Sequence, residues 1–216
     1  MRLIKAVVFE PVGCLSEFPA KPFNEIATRL FEQHEASNTS GSEAYWELLD
    51  LIHHSGRTLD ASEKQIAEEL EVQAVDSVEL YEDVVPALSE LKSMGIKLLI
   101  ASSLSEAAVS RFLVRFSLDD FFSAVWTRDN SGGVKAAPLA KAIEGGSIPP
   151  EEVMCLVDTT ESLEVVKDAG ANSILMINDY DEGRRLAMHA PTGGIVSLHE
   201  LPDAIRLVTE KANSPR

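Results

Sequence analysis

The sequence predicts an α/β fold: a Rossmann-like three-layer core built on a parallel sheet, with a helical cap inserted after the first strand. Three observations carry this. Short continuous apolar runs alternate with helical patterns of about ten residues. The runs lack the in–out alternation of half-exposed strands, as expected of strands buried on both faces. Residues 16–80 interrupt the alternation with helical patterns alone.

Taken in order, Ala6–Phe9 (AVVF) is the first apolar run. The next is Ile96–Ala101, followed by Val153–Val157, Ser173–Ile177 and Gly194–Ser197. The helical patterns between them are Val84–Met94, stopped by Gly95, then Ser105–Phe116, Pro138–Glu144, Ser162–Asp168 before Gly170, and Glu182–His189 before Pro191. The inserted stretch holds three: Pro22–His34, Ser42–His54 and Ala61–Val72. In the second, SGSEAYWELLDLI supplies a serine cap and then an apolar stripe of Tyr45, Leu48, Leu49 and Ile52. The expected division is therefore a core of residues 1–15 and 81–210, a cap of 16–80 and a flexible tail of 211–216. An insert at the carboxyl end of a strand lies where open sheets place their ligand crevice, so it is expected to act as a lid.

Composition narrows the function. The chain has 216 residues, 45% hydrophobic and 25% charged, which excludes a disordered or collagen-like chain. Lys+Arg 19 against Asp+Glu 35 gives a net charge of −16. Such a surface disfavours nucleic acid and anionic membranes as partners. Cys14 and Cys155 lack the spacing of a structural zinc site. No apolar run of about 18 residues is present. The N-terminal MRLIKAVVFEPVG reads as a buried strand rather than a signal peptide, so a cytoplasmic location is the expectation.

The order of motifs resembles the haloacid dehalogenase (HAD) superfamily, in its branch with a small helical cap after the first strand. The similarity runs from Lys5 to about Val208. In that family the first strand ends in DxDGT, whose first Asp is the nucleophile and whose second is the general acid/base. Here the strand ends VVFEPVGCL, which sets Glu10 at the nucleophile and Val12 at the acid/base position, with Gly13 and Cys14 at the glycine and threonine. The resemblance implies phosphate-binding roles for Ser102, which ends IKLLIASS, and for Lys135 in GGVKAAP. Both thereby join Glu10 as candidate catalytic residues. It implies metal binding by Asp158 in MCLVDTTES together with Glu10, with Val157 and Ser162 replacing the family's glycine and second acid. The stretches YEDVVPALSELKSMGIKLLIAS and SLDDFFSAVWTRD and the pair Ala169–Gly170 fit the same pattern.

The implied activity is Mg²⁺-dependent phosphoryl transfer from a small phosphate ester, and the losses bear on it directly. Val12 has no proton to give, and general acid/base catalysis is typically worth ~10²–10⁴-fold. Glu10 adds a methylene to the nucleophile, and a misplacement of about an ångström can cost ~10²-fold. Pro11 removes an N–H that could face phosphate. Mg²⁺ would keep only Glu10 and Asp158, a weak site or none. Glu161 and Glu164 flank the lost position but are turned away on a helix by roughly 100° and 200°.

Simpler roles compete. Glu10 reads either as a nucleophile or as a partner neutralising Lys135, Asp158 either as a metal ligand or as a helix cap, and Ser102 either as a ligand or as a turn residue. Cys14 reads as a small buried side chain, His53 and His54 as an exposed loop, and Trp46 and Trp126 as core or half-buried aromatics. The cap itself carries fourteen acids against four bases, a net of −10. That opposes a dianionic ligand. Three functions follow from this: a HAD-fold protein with lost or reduced turnover acting by binding or regulation on a small phosphate or a protein partner, an active atypical Mg²⁺-dependent phosphatase, and a dehalogenase-like hydrolase.

Overall fold

The computed structural model describes residues 3–34, 49, 59–134 and 136–213. Its centre is a six-stranded sheet in the order β3-β2-β1-β4-β5-β6, every pair parallel. The strands are β1 (Ala6–Phe9), β2 (Lys97–Ser102), β3 (Phe122–Thr127), β4 (Val153–Val157), β5 (Asn172–Met176) and β6 (Gly193–Ile195). The expected runs correspond to β1, β2, β4, β5 and β6, with ends shifted by up to two residues. The strand β3 was not among them. It lies at the sheet's edge and is mostly half-buried, so its residues carry no continuous buried run.

Alternation along β1 explains the three layers. Val7 and Phe9 point into one apolar cluster, and Ala6 and Val8 into a second on the opposite face. The first cluster packs helices α3 (Val84–Ser93) and α4 (Glu106–Arg115) and the C-terminal helix Leu201–Asn213 against the sheet. The second packs Ala136–Gly145 and α5 (Thr160–Asp168). Burying both faces of a parallel sheet is what makes its strands read as unbroken apolar runs. The C-terminal helix runs on to Asn213, so the expected tail at 211 starts inside a helix, and 214–216 lie outside the described residues.

Between β1 and Val84 stand α1 (Ala20–His34) and α2 (Ala61–Ser77). The second is longer than the expected Ala61–Val72, because Ala74 and Val75 continue its buried stripe. It opens on a capping box in which Asp60 accepts from Glu63 N at 2.9 Å and Glu63 accepts from Asp60 N at 2.7 Å. The expected helix Ser42–His54 lies outside the described residues, apart from buried Leu49. The chain leaves and re-enters the core at one point: Ser16 bridges Leu80, and Tyr81 N donates to Leu15 O at 3.1 Å.

Candidate active site

Sheet order reverses beside β1: the chain first builds β2 and β3 on one side of it, then crosses over to build β4, β5 and β6 on the other. Open α/β sheets hold ligands in the crevice outside such a switch point. Glu10 follows β1 and Asp158 follows β4, so the two carboxyl groups flank it.

The turn after β1 brings them close. Pro11–Cys14 forms one tight turn in which Val12 is extended (φ −74°, ψ 126°) and Gly13 has φ 81°. A Cβ on Gly13 would lie 1.8 Å from Asp158 Oδ2, so only glycine permits this approach. Asn178, just beyond β5, donates from Nδ2 to Gly13 O at 2.8 Å and fixes the turn. Asn178 carries no sequence signal for this role, because a side chain that holds a backbone carbonyl 165 residues away leaves no local pattern.

The Glu10 side chain is held by hydroxyl groups. Ser162 Oγ donates to Glu10 Oε1 at 3.3 Å, and Thr159 Oγ1 donates to Ser162 Oγ at 2.9 Å. Burial first and then Asp158 raise the Glu10 carboxyl, and the Ser162 hydroxyl partly offsets them, which together set it at about 8. Burial, then Glu182, raises Asp158 to about 6. That upward shift favours the protonated form of Glu10, which is not nucleophilic.

The remaining expected residues separate. Val12 is half-buried and packs against the apolar core. Ser102 is 3% exposed, and its Oγ accepts from Leu104 N at 3.1 Å, the turn role that competed with ligand binding. Asp158 does not cap α5: Thr159 does, accepting from Ser162 N at 3.2 Å. That corrects the helix-cap alternative, because the residue after Asp158 has the extended N-cap backbone. Cys14 is fully buried, its Sγ donates to Leu156 O at 3.6 Å, and burial raises its thiol, so it is an inert packing group. Trp126 is half-buried against Gly145. Lys135, Trp46, His53 and His54 lie outside the described residues.

Mg²⁺ takes oxygen ligands in a near-octahedral set. Among the described residues no group of three or more His, Cys, Asp or Glu converges to hold a metal. Glu10 is engaged with Ser162, the residue that stands where the family's second acid would be. Among the described residues, the carboxylates here are fewer than the three such a cluster would need. No helix among the described residues is long and apolar enough to cross a membrane.

Comparison with known proteins bears on the family and the fold. The family described as haloacid dehalogenase-like hydrolase matches residues 16–176. That match begins just after the turn carrying Glu10 and Val12. Phosphoglycolate phosphatase 1 of Pseudomonas aeruginosa is 28% identical over 159 residues, 71% of this chain and 58% of that protein. The pyrophosphatase PpaX of Bacillus mycoides is 33% identical over 99 residues, 45% of this chain and 46% of that protein. The chain thus spans about half the length of these curated relatives. Among solved structures, a haloacid dehalogenase-like hydrolase of Streptococcus pneumoniae superposes with TM-score 0.69 at 16% identity, covering 94% of this chain and 99% of that one. CbbY of Rhodobacter sphaeroides, solved in complex with phosphate, superposes at 0.66 with 20% identity, covering 92% and 96%.

Proposed function

The chain belongs to the haloacid dehalogenase-like hydrolases, and from that membership we propose a protein that keeps the fold but has lost efficient phosphoryl transfer and works by binding. One observation carries this reading. At the position where the family places its proton-transferring acid, Val12 packs into the apolar core. No leaving group receives a proton from it, and no water is activated by it. Glu10, Ser162 and Thr159 support the same reading, because their hydroxyl–carboxyl chain occupies the place where acids would grip a metal. Mg²⁺ binding is weak or absent, with Glu10 and Asp158 the two carboxylates left to hold it. A net charge of −16 leaves nucleic acid and anionic membranes as poor partners.

The test is a broad phosphatase screen with Mg²⁺ on wild type and on Glu10→Gln. The expected result is the same background rate in both. Turnover in the wild type that vanishes in Glu10→Gln would establish the active atypical phosphatase instead. Chloride release from haloacids would establish the dehalogenase-like reading.

A further inference from the structure

An insert at the carboxyl end of a strand swings as a lid only if its contacts with the core break at low cost. The helices α1 and α2 are joined to the core differently. Ile26 and Leu30 of α1 and Leu70 and Val75 of α2 are buried in the same apolar cluster as Phe9 of β1 and Phe112 of α4. Phe18, just before α1, stacks on Phe23 of α1 and on Phe112, each time with ring centroids 5.9 Å apart. Swinging α1 and α2 away would return this apolar surface to water.

Polar ties cross the same interface over two turns of α2. Glu71 is fully buried, accepts from Ser105 N at 3.0 Å and pairs with Arg128. Arg111 of α4 pairs with Asp76 at 2.7 Å. Arg115 of α4 donates to Val75 O at 2.5 Å and to Val78 O, at the end of α2 where helical partners run out. The exposed Arg111 pair contributes little, but pulling Glu71 from Arg128 would strand a buried charge. The buried pair also reaches the site. Arg128 donates to Ser103 O at 3.2 Å, and Leu104 N, between Ser103 and Ser105, donates to Ser102 Oγ at 3.1 Å.

The two helices also leave the crevice uncovered. A cavity of about 360 Å³ opens beside the switch point. Glu17, Tyr81 and Asp83, from the segments that cross between core and insert, line it together with Met176 and Val196. Neither α1 nor α2 contributes to its lining.

We propose that α1 and α2 are a fixed wall of the site rather than a moving lid, latched by Glu71 and Arg128 to the loop that carries Ser102. Glu71 is a positioning residue, which acts through Arg128 and Ser105 on where α2 stands beside the carboxyl end of β2. The latch holds whether or not the site turns a substrate over. A phosphatase screen and a distance measurement therefore fail separately.

The experiment is double electron–electron resonance on the full chain, spin-labelled at Glu68→Cys of α2 and Lys167→Cys of α5, both exposed positions. Cys14 and Cys155 are fully buried, so the introduced thiols are the ones that react. A reference pair within the core carries labels at Ser89→Cys and Lys167→Cys. The first pair is expected to give one distance, as narrow as the reference, and unchanged on adding MgCl₂ and inorganic phosphate. Glu71→Gln and Arg128→Lys are each expected to add a second distance to the first pair and to leave the reference pair unchanged, which also shows that the core is folded. Two distances in the wild type, or a shift on adding MgCl₂ and phosphate, would make the insert a lid and overturn the proposal. A first pair unchanged in both variants would overturn the latch. If Glu71→Gln does not fold, the wild type and the charge-conserving Arg128→Lys decide between the same outcomes.

Discussion

Gly13 sets the spacing of the cleft, because its missing side chain lets the Asp158 carboxylate rest against the turn after β1. Gly13→Ala adds both a steric clash and a left-handed backbone that alanine resists. It should cost on the order of 1–3 kcal/mol in urea denaturation, and the added change Asp158→Ala should return part of that loss. Glu10 makes a prediction of a different kind. Between its ordinary value of 4.5 and its folded value of about 8, the folded protein holds a proton that the unfolded chain has released. Stability therefore falls as pH rises through that window and is unaffected below it. Denaturation of the metal-free protein should show a loss on the order of 1–2 kcal/mol between about pH 5 and pH 8, allowing for partial exposure. Glu10→Gln should remove most of that slope. A slope unchanged in Glu10→Gln would place the titrating group elsewhere.

At the scale of elements, α2 is fastened to the core through α4. Glu71 is fully buried on α2, accepts from Ser105 N at 3.0 Å at the start of α4, and pairs with Arg128 just after β3. Arg128 also donates to Ser103 O at 3.2 Å, so a residue of α2 helps hold the loop that carries Ser102. Glu71→Ala would take its buried carboxylate from the Arg128 guanidinium, leaving it the more exposed Asp129 at 3.8 Å, and breaking a buried pair from one side costs up to ~3–5 kcal/mol. Arg111→Ala, which opens the exposed pair with Asp76, should cost under about 1 kcal/mol. Thermal denaturation of the two variants distinguishes them, and equal losses would contradict this account of the junction. The same scale shows why some elements were legible and one was not. Strands β1 and β4 are buried along their whole length and announce themselves as AVVF and VMCLV. The edge strand β3, FSAVWT, mixes half-buried and exposed positions and resembles the loops around it.

For the molecule as a whole, motif order was enough to identify the parallel sheet and the family, because spacing between buried strands is written into the chain. The site was legible in part. Glu10, Val12, Asp158 and Ser162 could be assigned from register, and the structure brings Glu10 and Ser162 within hydrogen-bond reach. The Thr159 cap, the Asn178 tie to Gly13 and the cavity beside Tyr81 could not be assigned, since each joins segments distant in sequence or depends on one residue's backbone angles. Charge links these scales. The chain carries −16, of which −10 falls in residues 16–80, and Glu17 and Asp83, which line the cavity beside the switch point, form no ion pair among the described residues.

The proposed loss of turnover traces to the family acids replaced at Val12 and Ser162. Its most direct measurement is the phosphatase rate with Mg²⁺ of wild type beside the triple variant Glu10→Asp, Val12→Asp, Ser162→Asp. Background hydrolysis by the wild type and a gain of at least ~10²-fold on restoration are expected. A wild-type rate equal to that of the restored protein, and abolished by Glu10→Gln, would contradict it.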